Sequence, residues 1–64
     1  MNFEKEQILE LLEKKGEISI TKIHRLLKIP YYRLKYEWLP ELEKENKIKK
    51  SIKDKFTFFR LKDE

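Results

Sequence analysis

The sequence predicts an α+β fold in which three helices precede a C-terminal β-hairpin. Large apolar residues recur every three to four positions up to about residue 45, as in helices that bury one face. The pattern then changes to two short runs rich in Ile and Phe, separated by the polar residues Lys53, Asp54 and Lys55. With 64 residues, the chain is expected to form one domain over residues 1–64.

The first helix is predicted over about residues 3–15. Ile8, Leu11 and Leu12 share one face at helical spacing. Asn2 is predicted to cap the start of this helix, because its side chain can accept a hydrogen bond from an unpaired backbone N–H. Gly16 is predicted to end the helix in the left-handed conformation that glycine adopts without strain.

The second helix is predicted over about residues 20–28, after a short extended stretch at Ile18. Ser19 is its predicted N-cap. The apolar residues Ile23, Leu26 and Leu27 are expected to face the core.

The third helix is predicted over about residues 30–45. Pro30 suits its first position, where the missing N–H costs nothing, and Asn46 can end it. A regular helix would place Leu34, Trp38 and Leu42 on one buried face. Pro40 interrupts this helix at a cost of about 3 kcal/mol, so a kink is expected near residues 36–40.

The hairpin is predicted over about residues 47–61. Strand alternation directs Phe59 and Leu61 to one face, where Ile48 and Ile52 can meet them. The same alternation directs Phe58 to the other face.

Charge is distributed in blocks along the chain. Residues 22–36 contain five basic residues and no acidic residue, whereas residues 37–45 contain four glutamates and one lysine. Residues 46–60 contain six basic residues and one acidic residue. The modest net charge of +4 therefore conceals two strongly basic segments, which would attract a polyanionic partner.

Composition excludes several classes of function. The chain has no cysteine and one histidine, so a thiolate metal site is excluded and no cofactor is expected. No apolar run is long enough to span a membrane, and a cytoplasmic protein is expected. No nucleophile motif or phosphate-binding glycine loop is present, so an enzyme is not expected. The richness in Lys and Glu is compatible with a thermophile, and equally with A·T-biased codons.

The run GEISITKIHRLLKIPYYRLKYEWLPELEKENKIKK, followed by SIKDKFTFFRL, resembles the winged helix-turn-helix superfamily of small bacterial, archaeal and viral DNA-binding proteins. The resemblance covers about residues 6–61. Three features depart from the family pattern: His24 replaces a small residue, Lys28 replaces the usual turn glycine, and the spacing around Leu39 and Pro40 is longer by about one residue.

The resemblance implies double-stranded DNA as the partner, with the third helix in the major groove and the hairpin acting as a wing along the backbone or in the minor groove. Arg33 is the candidate for a bidentate contact with guanine, because its forked donors match O6 and N7. Tyr32 and Tyr36 are candidates for phosphate or thymine-methyl contacts. The candidate phosphate contacts are Lys28, Lys35, Lys50, Lys53 and Lys55.

Other interpretations stay open at this stage. The expected role is that of a small transcriptional regulator associated with the nucleoid, with no small-molecule effector site evident. A winged helix that binds another protein is one alternative, and an RNA-binding or non-specific nucleoid protein is another. Exposed aromatic residues at Phe56 and Phe58 suggest a homodimer, with a monomer as the alternative.

Overall fold

A computed structural model describes residues 3–62 as an α+β fold of three helices and a three-stranded antiparallel sheet. Asn2, the predicted cap, lies outside the described residues. Helix α1 is Phe3–Lys15, strand β1 is Ile18–Ser19 and helix α2 is Ile20–Leu27. Helix α3 covers residues 31–44, and strands β2 and β3 are Ile48–Lys53 and Phe56–Leu61. The order of elements along the chain is compatible with a winged-helix layout.

The predicted C-terminal end of α1 and the predicted N-cap of α2 are found in the structure. Gly16 has a φ of +76° and donates its N–H to the carbonyl of Leu12, which ends α1. The Ser19 hydroxyl accepts the N–H of Lys22 and caps α2. Lys28, in place of glycine, ends α2 in the left-handed conformation with a φ of 59°.

Helix α3 begins one residue later than predicted. Pro30 has a φ of −53° and a ψ of 137°, so it is the N-cap and not the first helical residue. Its carbonyl accepts the N–H groups of Arg33 and Leu34 at 3.0 and 3.1 Å. At the other end, Asn46 has a φ of 63°, as the sequence predicted.

A π-helical segment interrupts α3 and ends two residues before Pro40. The helix consists of Tyr31–Arg33 in α form, Leu34–Trp38 in π form and Leu39–Lys44 in α form. The N–H of Leu39 donates to the carbonyl of Leu34, five residues earlier. This wider turn accommodates the proline ring, which would clash in a regular helix.

The π segment changes which residues of α3 are buried. Leu34, Leu39 and Leu42 are fully buried, whereas Trp38 only packs against the edge of the core. The predicted face of Leu34, Trp38 and Leu42 was therefore wrong at its middle position. The expectation for α2 was also partly wrong, because Ile20 and Ile23 are buried while Leu26 is 46% exposed.

The sheet has the order β1-β3-β2. Phe59 pairs with Ile18 on one side and Lys50 on the other, and Leu61 pairs with Ile48. Phe59 and Ile48 are buried, so this face of the sheet, here called the inner face, packs on the helices. The predicted alternation of Phe58 and Phe59 is confirmed by this register.

A two-residue turn joins β2 to β3. Asp54 and Lys55 have φ values of 50° and 71°, and the left-handed conformation at both positions is the one that a type I′ turn requires. Lys53, predicted as part of the turn, is instead the last residue of β2 and pairs with Phe56.

Candidate nucleic-acid interface

A groove of about 200 Å³ lies between helix α3 and the inner face of the sheet. Its apolar residues include Ile20, Leu39 and Phe59, all of them buried in the core. The polar and aromatic residues that line it are Tyr31, Lys35, Tyr36, Glu43, Lys50 and Thr57. The groove therefore joins one lysine from each of the two basic segments, which are far apart in the sequence.

The π segment positions the exposed residues at this groove. Leu34 and Leu39 are both anchored in the core, and the residues between them include Lys35 and Tyr36. Tyr36 is 69% exposed, and the ammonium of Lys35 lies 5.5 Å from the centroid of its ring. Four residues earlier on α3, Tyr32 is 57% exposed.

The two ends of α3 carry opposite charge. Lys28 precedes the helix, and the first half of the helix (residues 31–37) contains Arg33 and Lys35 against Glu37. The second half (residues 38–44) contains Glu41 and Glu43 against Lys44. Because phosphates are repelled by carboxylates, the first half of α3 is the part suited to a polyanion. This half also contains Tyr32 and Tyr36.

Part of the acidic stretch of residues 37–45 binds α1. The ammonium of Lys5 lies 2.6 Å from Glu41 Oε1 and 2.8 Å from Glu45 Oε2. Hydrogen bonds to these two carboxylates raise the pKa of Lys5, and its hydrogen bond lowers the pKa of Glu45. These bonds hold the acidic end of α3 against α1.

Arg33 is turned toward α1 rather than toward the groove. Its Nη1 lies 3.5 Å from Glu4 Oε1, and its Nε lies 3.7 Å from Glu37 Oε1. A hydrogen bond with Tyr32 and the charge of Glu4 raise its pKa, so the guanidinium stays charged. A contact between Arg33 and guanine would require the side chain to leave these carboxylates.

Lys53 is engaged on the outer face of the sheet, opposite to the groove. Its ammonium lies 2.5 Å from Glu17 Oε1 and 5.6 Å from the centroid of the Phe58 ring. The Ser51 hydroxyl donates to the other oxygen of Glu17 at 3.2 Å. The hydrogen bond from Lys53 lowers the pKa of Glu17. Lys53 is thus separated from Lys50, which lies on the inner face.

Four of the lysines predicted to contact phosphate are exposed. Within residues 3–62, no carboxylate lies at ion-pairing distance from any of them. They are Lys28 before α3, Lys35 on α3, Lys50 on β2 and Lys55 at the hairpin turn. Lys35 and Lys50 line the groove, while Lys28 and Lys55 lie on the connections that precede α3 and β3.

His24 has a structural role. Its Nδ1 donates to the carbonyl of Ile29 at 2.7 Å, and its ring meets the edge of Tyr31 with centroids 5.9 Å apart. These contacts connect α2 to the turn before α3.

Sequence reasoning missed two carboxylates that organise the charged side chains. Glu4 accepts one hydrogen bond from Trp38 Nε1 at 2.6 Å and faces Arg33, while Glu17 binds Ser51 and Lys53. Each glutamate is at least 29 residues from its partners in the sequence. No local spacing signals such pairs, because only the tertiary fold brings them together.

The two aromatic residues proposed as a dimer surface differ in exposure. Phe58 is half-buried beside Lys53, whereas Phe56 is 60% exposed at the end of the hairpin. The homodimer stays a prediction.

Comparisons of this chain with protein-family models, with curated proteins and with solved structures find no match. Within residues 3–62, no helix has both the length and the apolar character needed to cross a membrane.

Proposed function

We propose that this chain is a winged helix-turn-helix domain that binds double-stranded DNA and acts as a small transcriptional regulator. The observation that carries the proposal is the groove in which Lys35 from α3 and Lys50 from the hairpin lie together beside exposed tyrosines. A duplex has a high density of phosphate charge, and cations from two separate elements can contact it at two places.

In the proposed mode of binding, the first half of α3 enters the major groove. The N-terminal part of a recognition helix usually contacts the base edges, and here this part contains the exposed tyrosines. The hairpin places Lys50 and Lys55 along the backbone, where they add affinity without reading sequence. Regulation follows from occupying or positioning a DNA site, since the proposal includes no catalytic step.

Fluorescence anisotropy with a short labelled duplex tests the proposal. Each neutralised phosphate contributes about −0.9 to the slope of log affinity against log salt, so contacts from Lys28, Lys35, Lys50 and Lys55 predict a slope of about −4. Replacement of Lys35 and Lys50 with Ala should flatten the slope by about 2 and weaken binding to all sequences.

Two control variants make this measurement specific. Lys14→Ala removes the same charge from an exposed position on α1 outside the groove and should leave the slope unchanged. Lys53→Ala should change the slope less than Lys50→Ala, because Lys53 is already paired with Glu17. Failure to bind any duplex at low salt, or an equal effect of Lys14→Ala and Lys35→Ala, would contradict the proposal. Tighter binding to RNA than to DNA would favour an RNA-binding role. An affinity ratio near one between specific and random duplexes would favour a non-specific nucleoid role.

A further inference from the structure

We propose that α3 reads the methyl groups of thymine through the rings of Tyr32 and Tyr36, so that the duplexes it prefers are rich in A·T pairs. This inference rests on the proposed function, because it names the class of base that the same surface recognises. Two observations support it: α3 exposes two tyrosine rings, and its arginine is paired with carboxylates of the protein.

The exposed surface in the first half of α3 is aromatic. Tyr32 and Tyr36 are four residues apart and are 57% and 69% exposed, although each has a large apolar ring. Lys35 is beside Tyr36, with its ammonium 5.5 Å from the ring centroid.

The Arg33 guanidinium, the group of α3 best suited to bind guanine, lies away from the exposed tyrosine rings. The Arg33 guanidinium faces Glu4 at 3.5 Å and Glu37 at 3.7 Å. Its Nε is buried among the described residues without a hydrogen-bond partner, so it cannot offer its full set of donors to a base from this position. Bidentate recognition of guanine needs two parallel donors on the exposed face, and α3 keeps its only arginine off that face.

The chemistry of the major groove then selects the base. The C5-methyl of thymine is the apolar group that the major groove presents, and an exposed phenol ring can bury it. Removing one methyl from water changes affinity by about fourfold. Two tyrosines that each cover one methyl would therefore favour the thymine-containing duplex by roughly an order of magnitude.

The test measures binding of the full chain to two pairs of duplexes that differ only in methyl groups. One pair is an A·T-rich duplex and the same duplex with deoxyuridine in place of thymidine. The other is a G·C-rich duplex with cytosine or with 5-methylcytosine. We expect the deoxyuridine duplex to bind about fourfold more weakly for each contacted methyl, and 5-methylcytosine to strengthen binding. Because the second pair adds methyls to a different duplex, it separates methyl contact from an effect of A·T-tract shape.

Paired substitutions identify the group that reads the methyl. Tyr36→Ala and Tyr32→Ala should each reduce the ratio of thymidine to deoxyuridine affinity, whereas Tyr36→Phe and Tyr32→Phe should retain it. Loss of the ratio in the Phe variants would show that the hydroxyls carry the preference and would overturn the inference. Salt-dependent binding in which the thymidine and deoxyuridine duplexes bind equally would overturn the inference and leave the proposed function intact. A preference for unmethylated G·C duplexes would have the same consequence. Binding to no duplex would overturn both.

Discussion

Replacing Leu39 with Ala tests whether the π segment sets the buried face of α3. Leu39 is 1% exposed, so truncation removes a fully buried side chain from the core. Substitutions of this kind cost about 2–5 kcal/mol in free energy of unfolding. A chain of this size is stable by only about 3–10 kcal/mol, so the variant should lose a large part of its stability.

Leu26→Ala is the matched control, because it makes the same chemical change at a position that is 46% exposed. We expect it to cost well under half as much as Leu39→Ala. Urea denaturation, followed by circular dichroism and by the fluorescence of Trp38, measures both costs. If Leu39→Ala is too unstable to give a baseline, the milder Leu39→Val should still cost more than Leu26→Val. An equal or larger cost at Leu26 would refute the register of α3 described above.

Two further predictions concern stability. Glu17 pairs with Lys53 and Glu45 pairs with Lys5, and both pairs lower the pKa of the carboxyl below the ordinary 4.5. The stability that these pairs contribute is therefore complete above pH 4.5. It is lost as the pH falls through the lowered pKa values and the carboxylates become protonated. The thermal midpoint should therefore fall on acidification below pH 4.5, and Glu17→Gln should reduce that dependence; the same acid dependence in Glu17→Gln would contradict the role of Glu17. Lys55→Gly should raise the free energy of unfolding by about 0.5–1 kcal/mol, because Lys55 has a φ of 71° and glycine adopts this conformation freely. A loss of stability in urea denaturation would count against the described turn.

The parts of the fold that depend on local chemistry were predictable from the sequence. Ser19, Gly16 and Asn46 determine helix ends through short-range hydrogen bonds and backbone conformation, and each is found in its predicted role. The alternation of Phe58 and Phe59 likewise follows from strand geometry alone.

The internal structure of α3 could be predicted only in part from the sequence. Pro40 predicts a disturbance in the helix, yet a kink, a break and a π turn all relieve the same clash. The π turn substitutes Leu39 for Trp38 in the core, and that choice depends on how the whole helix packs.

The candidate site could likewise be predicted only in part from the sequence. Block charge identified the lysines, but it gave no information on which of them are paired within the protein. Arg33 and Lys53 are held by Glu4 and Glu17, carboxylates distant in sequence, whereas Lys35 and Lys50 line one groove.

The most direct test of the central claim maps the surface that duplex DNA contacts. In a titration of isotope-labelled protein with a short duplex, followed by NMR, we expect the largest chemical-shift changes at Tyr32, Lys35, Tyr36 and Lys50. Signals of Lys14 and Lys15 at the end of α1 should move little. Changes concentrated on α1 or on the outer face of the sheet, with the groove residues unaffected, would contradict the account.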